Sequence, residues 1–196
     1  MVIGLTGNYG MGKSFVLSVF RELGAIVLDS DDIVNHLLQH KKVIQNVKVI
    51  LGNCVEREEG GLDKSKIANI IFNNSNLREQ LEVILHPMVI EKIEDVLQKI
   101  KGKSRLVIVE VPLLFECEYQ RRFSRTITVF TTQKKALERL MKAGVSRSNA
   151  MKRLKVQLPI QIKKKMADYL IDNNGTKQET CKQVERINKK LLDEMV

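Results

Sequence analysis

The sequence predicts an α/β fold, a parallel sheet flanked by helices on both faces. Three observations predict it. Short, continuous apolar runs alternate with stretches of 3.6-residue periodicity, as buried parallel strands and their covering helices do. None of the runs approaches the roughly 18 unbroken apolar residues of a membrane span. The first run, VIGL, leads into a glycine-rich stretch and then at once into an amphipathic segment.

Taken in order, VIGL at 2–5 reads as a buried strand. Lys13 to about Leu23 reads as a helix with Phe15, Val16, Val19, Phe20 and Leu23 on one face, stopped by Gly24. AIVLD at 25–29 is a second strand. Val34–Leu51 is helical, in one piece or two. The polar stretch from Gly52 to Asp63 is loop. Helices follow at Lys64–Phe72 and Asn76–Lys101, the second interrupted near Pro87, which lacks an N–H and crowds the preceding turn. RLVIVEVPLLF at 105–115 is the most hydrophobic run, a central strand ended by Pro112, and TITVFT at 126–131 is another strand. Helices at Gln133–Ala143 and Arg147–Val156 precede a short strand, YLIDN at 169–173. The tail from Lys177 is an amphipathic helix with Val184, Ile187, Leu191 and Leu192 on its apolar side.

At 196 residues the chain makes one domain, with an inserted or mobile part. The opening has no basic n-region, and Gly4, Gly7 and Asn8 break its apolar run, so a secretory signal is not expected. Cys54, Cys117 and Cys181 are far apart and odd in number, which argues against a disulfide framework or a zinc site. The expectation is a cytoplasmic protein without a membrane partner. Residues 133–165 hold eleven Lys or Arg against the single acid Glu138, which equals the net charge of +10 carried by the whole chain. A localised excess points to a specific polyanion contact. Few aromatics and no recognisable motif support base stacking, so no specific nucleic-acid partner is expected.

The stretch from Gly7 to Ser14, GNYGMGKS, fits G-x-x-x-x-G-K-[ST] between a strand and a helix. Its members are Gly7, Asn8, Tyr9, Gly10, Met11, Gly12, Lys13 and Ser14, with Phe15 next in the helix. Glycines let the backbone curl so that its N–H groups meet a phosphate, and the helix start adds its positive end. Lys13 then reaches the β- and γ-phosphates and Ser14 ligates magnesium. The loop implies a nucleoside triphosphate but leaves the fate of its γ-phosphate open.

Carboxylates narrow that fate. LDSDD at 28–32 ends the second strand, and acids there face the ligand crevice of a parallel sheet. Asp29 and Asp31 share one direction if the strand persists. Asp31 is favoured as the group that holds an acceptor hydroxyl and takes its proton, and Asp32 as a helix cap. Glu110, on the strongest strand, is placed at magnesium or behind it, and Glu116 is a weaker candidate. In the basic segment, a helical lid, Arg139, Lys142 and Arg153 are placed over the triphosphate, where closure excludes water. His36 and His40 suit a surface or groove better than a metal pair, and His86 is a candidate ligand contact.

In their order along the chain, these residues resemble the dephospho-coenzyme A kinase family. GLTGNYGMGKS is similar to its GLTGGIGSGKS opening, and VLDSDDI to its DAD segment. His86-Pro87, VPLLFE at 111–116, ERL at 138–140, R-L-x-x-Q at Arg153–Gln157 and ADYLIDNNG at 167–175 match further signatures. The resemblance implies transfer of the γ-phosphate of ATP, with Mg2+, to the ribose 3′-hydroxyl of dephospho-CoA. It implies Lys13, Asp31 and Arg139 as catalytic residues, with Asp31 as base. Arg139, Lys142, Arg153 and Asn173 join the loop at the nucleotide, and Ser14 and Glu110 attend the metal. His86, Pro112, Leu113 and Leu114 join Asp31 at the acceptor. The chain then divides into a P-loop core (about 1–33, 103–132 and 166–196), a helical acceptor-binding insertion (about 34–102) and the basic lid (about 133–165), as a monomer or weak homo-oligomer. Asn8, Tyr9 and Met11 depart from the family's usual Gly, Ile and Ser. After ERLM the chain is one residue shorter than usual, with Lys142 as the nearest cation in place of an arginine's bidentate fork.

Two other readings fit parts of the sequence. A different nucleoside or nucleotide kinase shares the loop and lid but need not carry His-Pro followed by PLLFE. A nucleic-acid-binding NTPase fits the charge alone.

Overall fold

Strand β1 (Val2–Thr6) lies at the centre of a five-stranded, all-parallel sheet of order β2-β3-β1-β4-β5. The others are β2 (Ile26–Asp29), β3 (Val107–Glu110), β4 (Arg125–Phe130) and β5 (Tyr169–Asp172). The structure, a computed structural model, describes residues 1–57, 59–99 and 106–195, and the side chains of 72, 75, 86 and 97 lie outside the description. β1 and β3 are neighbours, yet β1 leads across β3 to β2 while β3 leads across β1 to β4, so the strand order reverses between them. That reversal makes a crevice at their carboxyl ends, where open α/β sheets bind ligands. In register, Leu5 pairs with Glu110, which pairs with Asp29 on its other side.

Two compact units divide the chain. The first comprises Met1–Asp29 and Gly102–Val196. Helix α1 (Lys13–Glu22) buries Val16, Val19 and Phe20 against Ile3, Leu5, Ile108 and Ile127 of the sheet. The last helix, Lys177–Asp193, adds Val184, Ile187 and Leu191 to the same core and opens on a capping box between Thr176 and Glu179. Leu192 is 43% exposed and Leu23 39%, so both turn outward, against expectation. Leu192 sits one position beyond the stripe that the helical period carries inward, whereas Leu23 falls in line with Val16 and Phe20 but is the C-cap residue, past the last turn of α1.

The second unit, Ser30–Lys101, is helical. It holds α2 (Ser30–Leu37), α3 (Lys41–Leu51), a 3₁₀ turn (Asn53–Val55), α4 (Lys64–Asn73) and α5 (Ser75–Lys99). Its own core joins Leu38, Val43, Val47, Leu51 and Val55 to Leu62, Ile67, Leu81 and Leu85. α2 begins directly after β2, so the expected strand direction does not extend to Asp31, and Asp32 falls inside the first turn rather than capping it. α5 runs on through Pro87 where an interruption was expected. The turn before Pro87 carries Val83, 73% exposed, so the carbonyl that the proline leaves without a donor faces water.

β3 ends at Glu110, two residues before the Pro112 expected to end it. After β4 come α6 (Gln133–Lys142), α7 (Arg147–Lys155) and α8 (Ile160–Met166), and the closing helix Lys177–Asp193 is α9. Thr132 and Ser146 cap α6 and α7 through their hydroxyls. α8 went unread in the sequence because a seven-residue helix with three lysines shows no apolar stripe. No described helix is long and apolar enough to cross a membrane.

Candidate active site

The phosphate-type loop closes as its spacing predicts. Gly7 sits at φ 152° and Gly12 at φ 89°, conformations that suit glycine. Space demands glycine as well: a Cβ on Gly7 would strike the Val129 carbonyl of β4, and one on Gly12 would strike Asn173 Nδ2. The Met11 N–H donates to the Asn8 carbonyl at 3.2 Å. Gly12 caps α1 without a side chain, and no acid occupies the first turn, so the helix start stays open to an anion. Lys13 is buried, and its Nζ lies 3.5 Å from Glu110 Oε1 on the neighbouring strand. Ser14 is exposed at the start of α1.

Asn173 braces this loop from below. Its Nδ2 donates to the Met11 carbonyl at 2.9 Å, and its Oδ1 accepts from the Thr180 hydroxyl at 3.1 Å. Both ends of the carboxamide therefore serve the chain, and the residue is 5% exposed. Arg139 Nη2 donates to the Asn173 carbonyl at 3.0 Å, and Nη1 lies 3.4 Å from the point where a Gly12 Cβ would stand. Arg139 is thereby held beside the loop. Lys142, one turn further along α6, is exposed.

The other side of the loop meets residues 153–163. The Arg153 guanidinium stands 4.8 Å from the Tyr9 ring centroid. Tyr9 N–H donates to Gln157 Oε1 at 2.8 Å, and Asn8 Nδ2 donates to the Leu158 carbonyl at 3.0 Å. The Leu158 N–H donates to Glu116 Oε1 at 2.9 Å. The same oxygen pairs with Lys163 Nζ at 2.8 Å, and Lys163 also donates to the Pro112 carbonyl at 2.9 Å. That carbonyl accepts from Thr6 Oγ1 at 3.2 Å. Lys163 is wholly buried, and desolvation holds its pKa below the ordinary value against the pull of Glu116.

Glu116, an outside candidate for the metal, is thus committed to Lys163 and Leu158. Lys163 was counted only as charge in the sequence, where nothing marked it for the interior. Gln157 was legible as the end of R-L-x-x-Q, but its partner was not. Leu114, expected at the acceptor, is fully buried. Pro112 and Leu113 are half-buried. Asp31 lies in the helical unit, exposed in the first turn of α2, and the expected ligand contact of His86 falls outside the described side chains. His36 and His40 line a groove of about 490 Å³ with Ile33, Leu37, Met88, Glu91, Lys92 and Asp95. The helical period puts that face of α2 opposite Asp31. Among the described residues no three His, Cys, Asp or Glu gather as a metal cluster.

Comparison with known proteins points to one family. The family model for dephospho-CoA kinase matches residues 1–179. A dephospho-CoA kinase of Aquifex aeolicus is 37% identical over 190 residues, covering 96% of each chain. One of Bacillus cereus is 38% identical over 192 residues, again covering 96% of each. A Thermus thermophilus crystal structure superposes with a TM-score of 0.84 at 30% identity, over 100% of this chain and 98% of the other. A shikimate kinase of Bacteroides thetaiotaomicron, at TM-score 0.53 and 17% identity over 97% and 98% of the chains, shares the fold. A glycine loop with its buried lysine, an arginine braced beside it and near-full-length relatives of one activity leave a single reading: the chain belongs to the dephospho-CoA kinase family, whose members transfer the γ-phosphate of ATP to the ribose 3′-hydroxyl of dephospho-CoA in the last step of coenzyme A synthesis.

Proposed function

We propose the following division of labour for that transfer. The Gly7–Ser14 loop and the start of α1 hold the ATP phosphates through backbone N–H groups. Lys13 bridges toward the γ-phosphate, and Arg139 stabilises charge on the transferring group. Asp31 orients the 3′-hydroxyl and accepts its proton as the oxygen bonds to the γ-phosphorus and the bond to ADP breaks. A loose transition state asks little of a base, so the placement of Asp31 counts for more than its strength.

Mg2+ fits the residues present. Magnesium is typically held by one or two protein oxygens together with substrate phosphates. The exposed Ser14 hydroxyl and the Glu110 carboxylate, next to Lys13, offer that donor set. When bound, the ion neutralises charge shared by the β- and γ-phosphates. Residues 34–102 carry the acceptor site, with Asp31, His86, Pro112 and Leu113 at the acceptor. Residues 133–165 act as the lid, with Arg153 and Lys142 facing the nucleotide. The enzyme works in the cytoplasm as a monomer or weak homo-oligomer, without a specific nucleic-acid partner.

The pairing of Lys13 with Glu110 at the mouth of the loop carries this reading. Its test is a coupled ADP-release assay with Mg-ATP and dephospho-CoA, adenosine, nucleoside monophosphates or no acceptor. Turnover with dephospho-CoA alone, lost in Lys13→Ala and strongly reduced in Asp31→Asn, is expected. Undiminished turnover in either variant would remove the role assigned to that residue.

A further inference from the structure

Asn8 and Tyr9 occupy the variable positions of the phosphate loop, where the ligand asks only for backbone. Their side chains are turned to another use. Asn8, 6% exposed, donates to the Leu158 carbonyl, and Tyr9 lies against Arg153. The Tyr9 N–H is itself taken by Gln157 Oε1, which removes it from the donors a phosphate could use. All of these partners fall between 153 and 158, so the loop grips one short segment by a hydrogen bond from each residue and a cation–ring contact.

The grip continues beyond that segment. The Leu158 peptide is held at both ends, its carbonyl by Asn8 and its N–H by Glu116. Glu116 pairs with the buried Lys163, which fastens to Pro112, and Pro112 is held by Thr6 at the end of β1. The contacts form a closed circuit from β1 through the loop, residues 153–163 and the turn after β3, back to β1. In a closed circuit no member shifts without breaking a bond elsewhere. Most of its links are buried or half-buried, where hydrogen bonds and ion pairs are least replaceable by water.

We propose that Asn8 and Tyr9 are positioning residues for phosphoryl transfer: their side chains clasp residues 153–158 to the phosphate loop and so set the place of Arg153 relative to the triphosphate. This rests on the ATP-loop reading above. Arg153 is poised by the Tyr9 ring, and the segment around it is ordered by the enzyme's own contacts. Binding ATP then spends less of its interaction energy on ordering that segment.

The test uses the full chain in two arms. In the first, hydrogen exchange is followed without nucleotide in the wild type, Tyr9→Leu, Tyr9→Phe and Asn8→Ala. Amides at 147–158 are expected to exchange faster in Tyr9→Leu and Asn8→Ala, while Tyr9→Phe, which keeps the ring, matches the wild type. In the second, Tyr9→Leu raises the KM for ATP about fivefold, the size of a cation–ring contact of about 1 kcal/mol, with a smaller effect on kcat, and Tyr9→Phe restores it. ATP hydrolysis without acceptor rises relative to transfer, because a loosened segment admits water. If Tyr9→Leu fails to fold, Arg153→Met removes the same contact from the other side and is read by exchange. Unchanged exchange at 147–158 in these variants, or Tyr9→Phe behaving as Tyr9→Leu, overturns the proposal. A wild type that releases no ADP with dephospho-CoA would instead sink the ATP-loop reading, and the exchange arm would still decide the clasp.

Discussion

Lys13 Nζ stands 3.5 Å from Glu110 Oε1, and both side chains are almost completely inside the fold. The lysine proposed to serve the phosphates thus shares a sheltered site with a carboxylate on the neighbouring strand. Lys13→Ala removes the phosphate cation and leaves Glu110 buried without that countercharge. ADP release is expected to fall by about 10²–10³-fold, the usual cost of deleting one preorganised charge-stabilising donor, and the melting temperature to fall with it. Glu110→Gln keeps the volume and removes the charge. A magnesium titration of its activity should move to higher concentrations, and a titration identical to wild type would take Glu110 away from the metal.

Asp31→Asn tests the acceptor side. The exchange is isosteric, and α2 should form as before. kcat is expected to drop by about 10²-fold, the low end for general-base assistance, while the KM for ATP stays near wild type. A change confined to the KM for dephospho-CoA would make Asp31 a binding group alone.

Gly7 and Gly12 should differ in how badly they tolerate alanine. The new methyl at Gly7 meets the Val129 carbonyl, backbone that β4 holds in place. At Gly12 it meets the Asn173 amide, which can rotate away once it releases Met11. Both variants should lose ATP affinity by calorimetry. Gly7→Ala should show the larger fall in thermal midpoint, and the reverse order would mean that the loop yields where the sheet was expected to hold.

Lys163 gives stability a pH dependence. Burial lowers its folded-state pKa below the ordinary 10.5, so the folded chain sheds this proton at lower pH than the unfolded chain. Between those two values the unfolded state binds more protons, and the Lys163 contribution to stability rises with pH. Below the folded value both states are protonated and the contribution is flat. In urea unfolding from pH 7 upward, wild type minus the double variant Lys163→Met/Glu116→Gln should therefore show a positive slope in the alkaline range. A flat difference would place the ammonium in a better solvated site. Paired replacement is needed because removing either partner alone leaves a buried charge, which costs about 3–5 kcal/mol.

Much of this protein was determined by local sequence. The glycine loop, its lysine and serine, the five apolar runs and most helices are visible because each is encoded by neighbours in the chain. Backbone freedom, 3.6-residue periodicity and short continuous apolar runs all act over a few residues. Tertiary structure decided the rest. It carried α5 through Pro87, buried Leu114, turned Leu192 outward and started α2 before Asp31. Above all it placed Lys163 inside, against a carbonyl 51 positions away, and brought Asn8 to Leu158 across 150 positions. A buried polar group is stabilised only by partners that desolvate with it. Those partners come from distant segments, so their pairing is written in the packed chain and not in any window of its sequence.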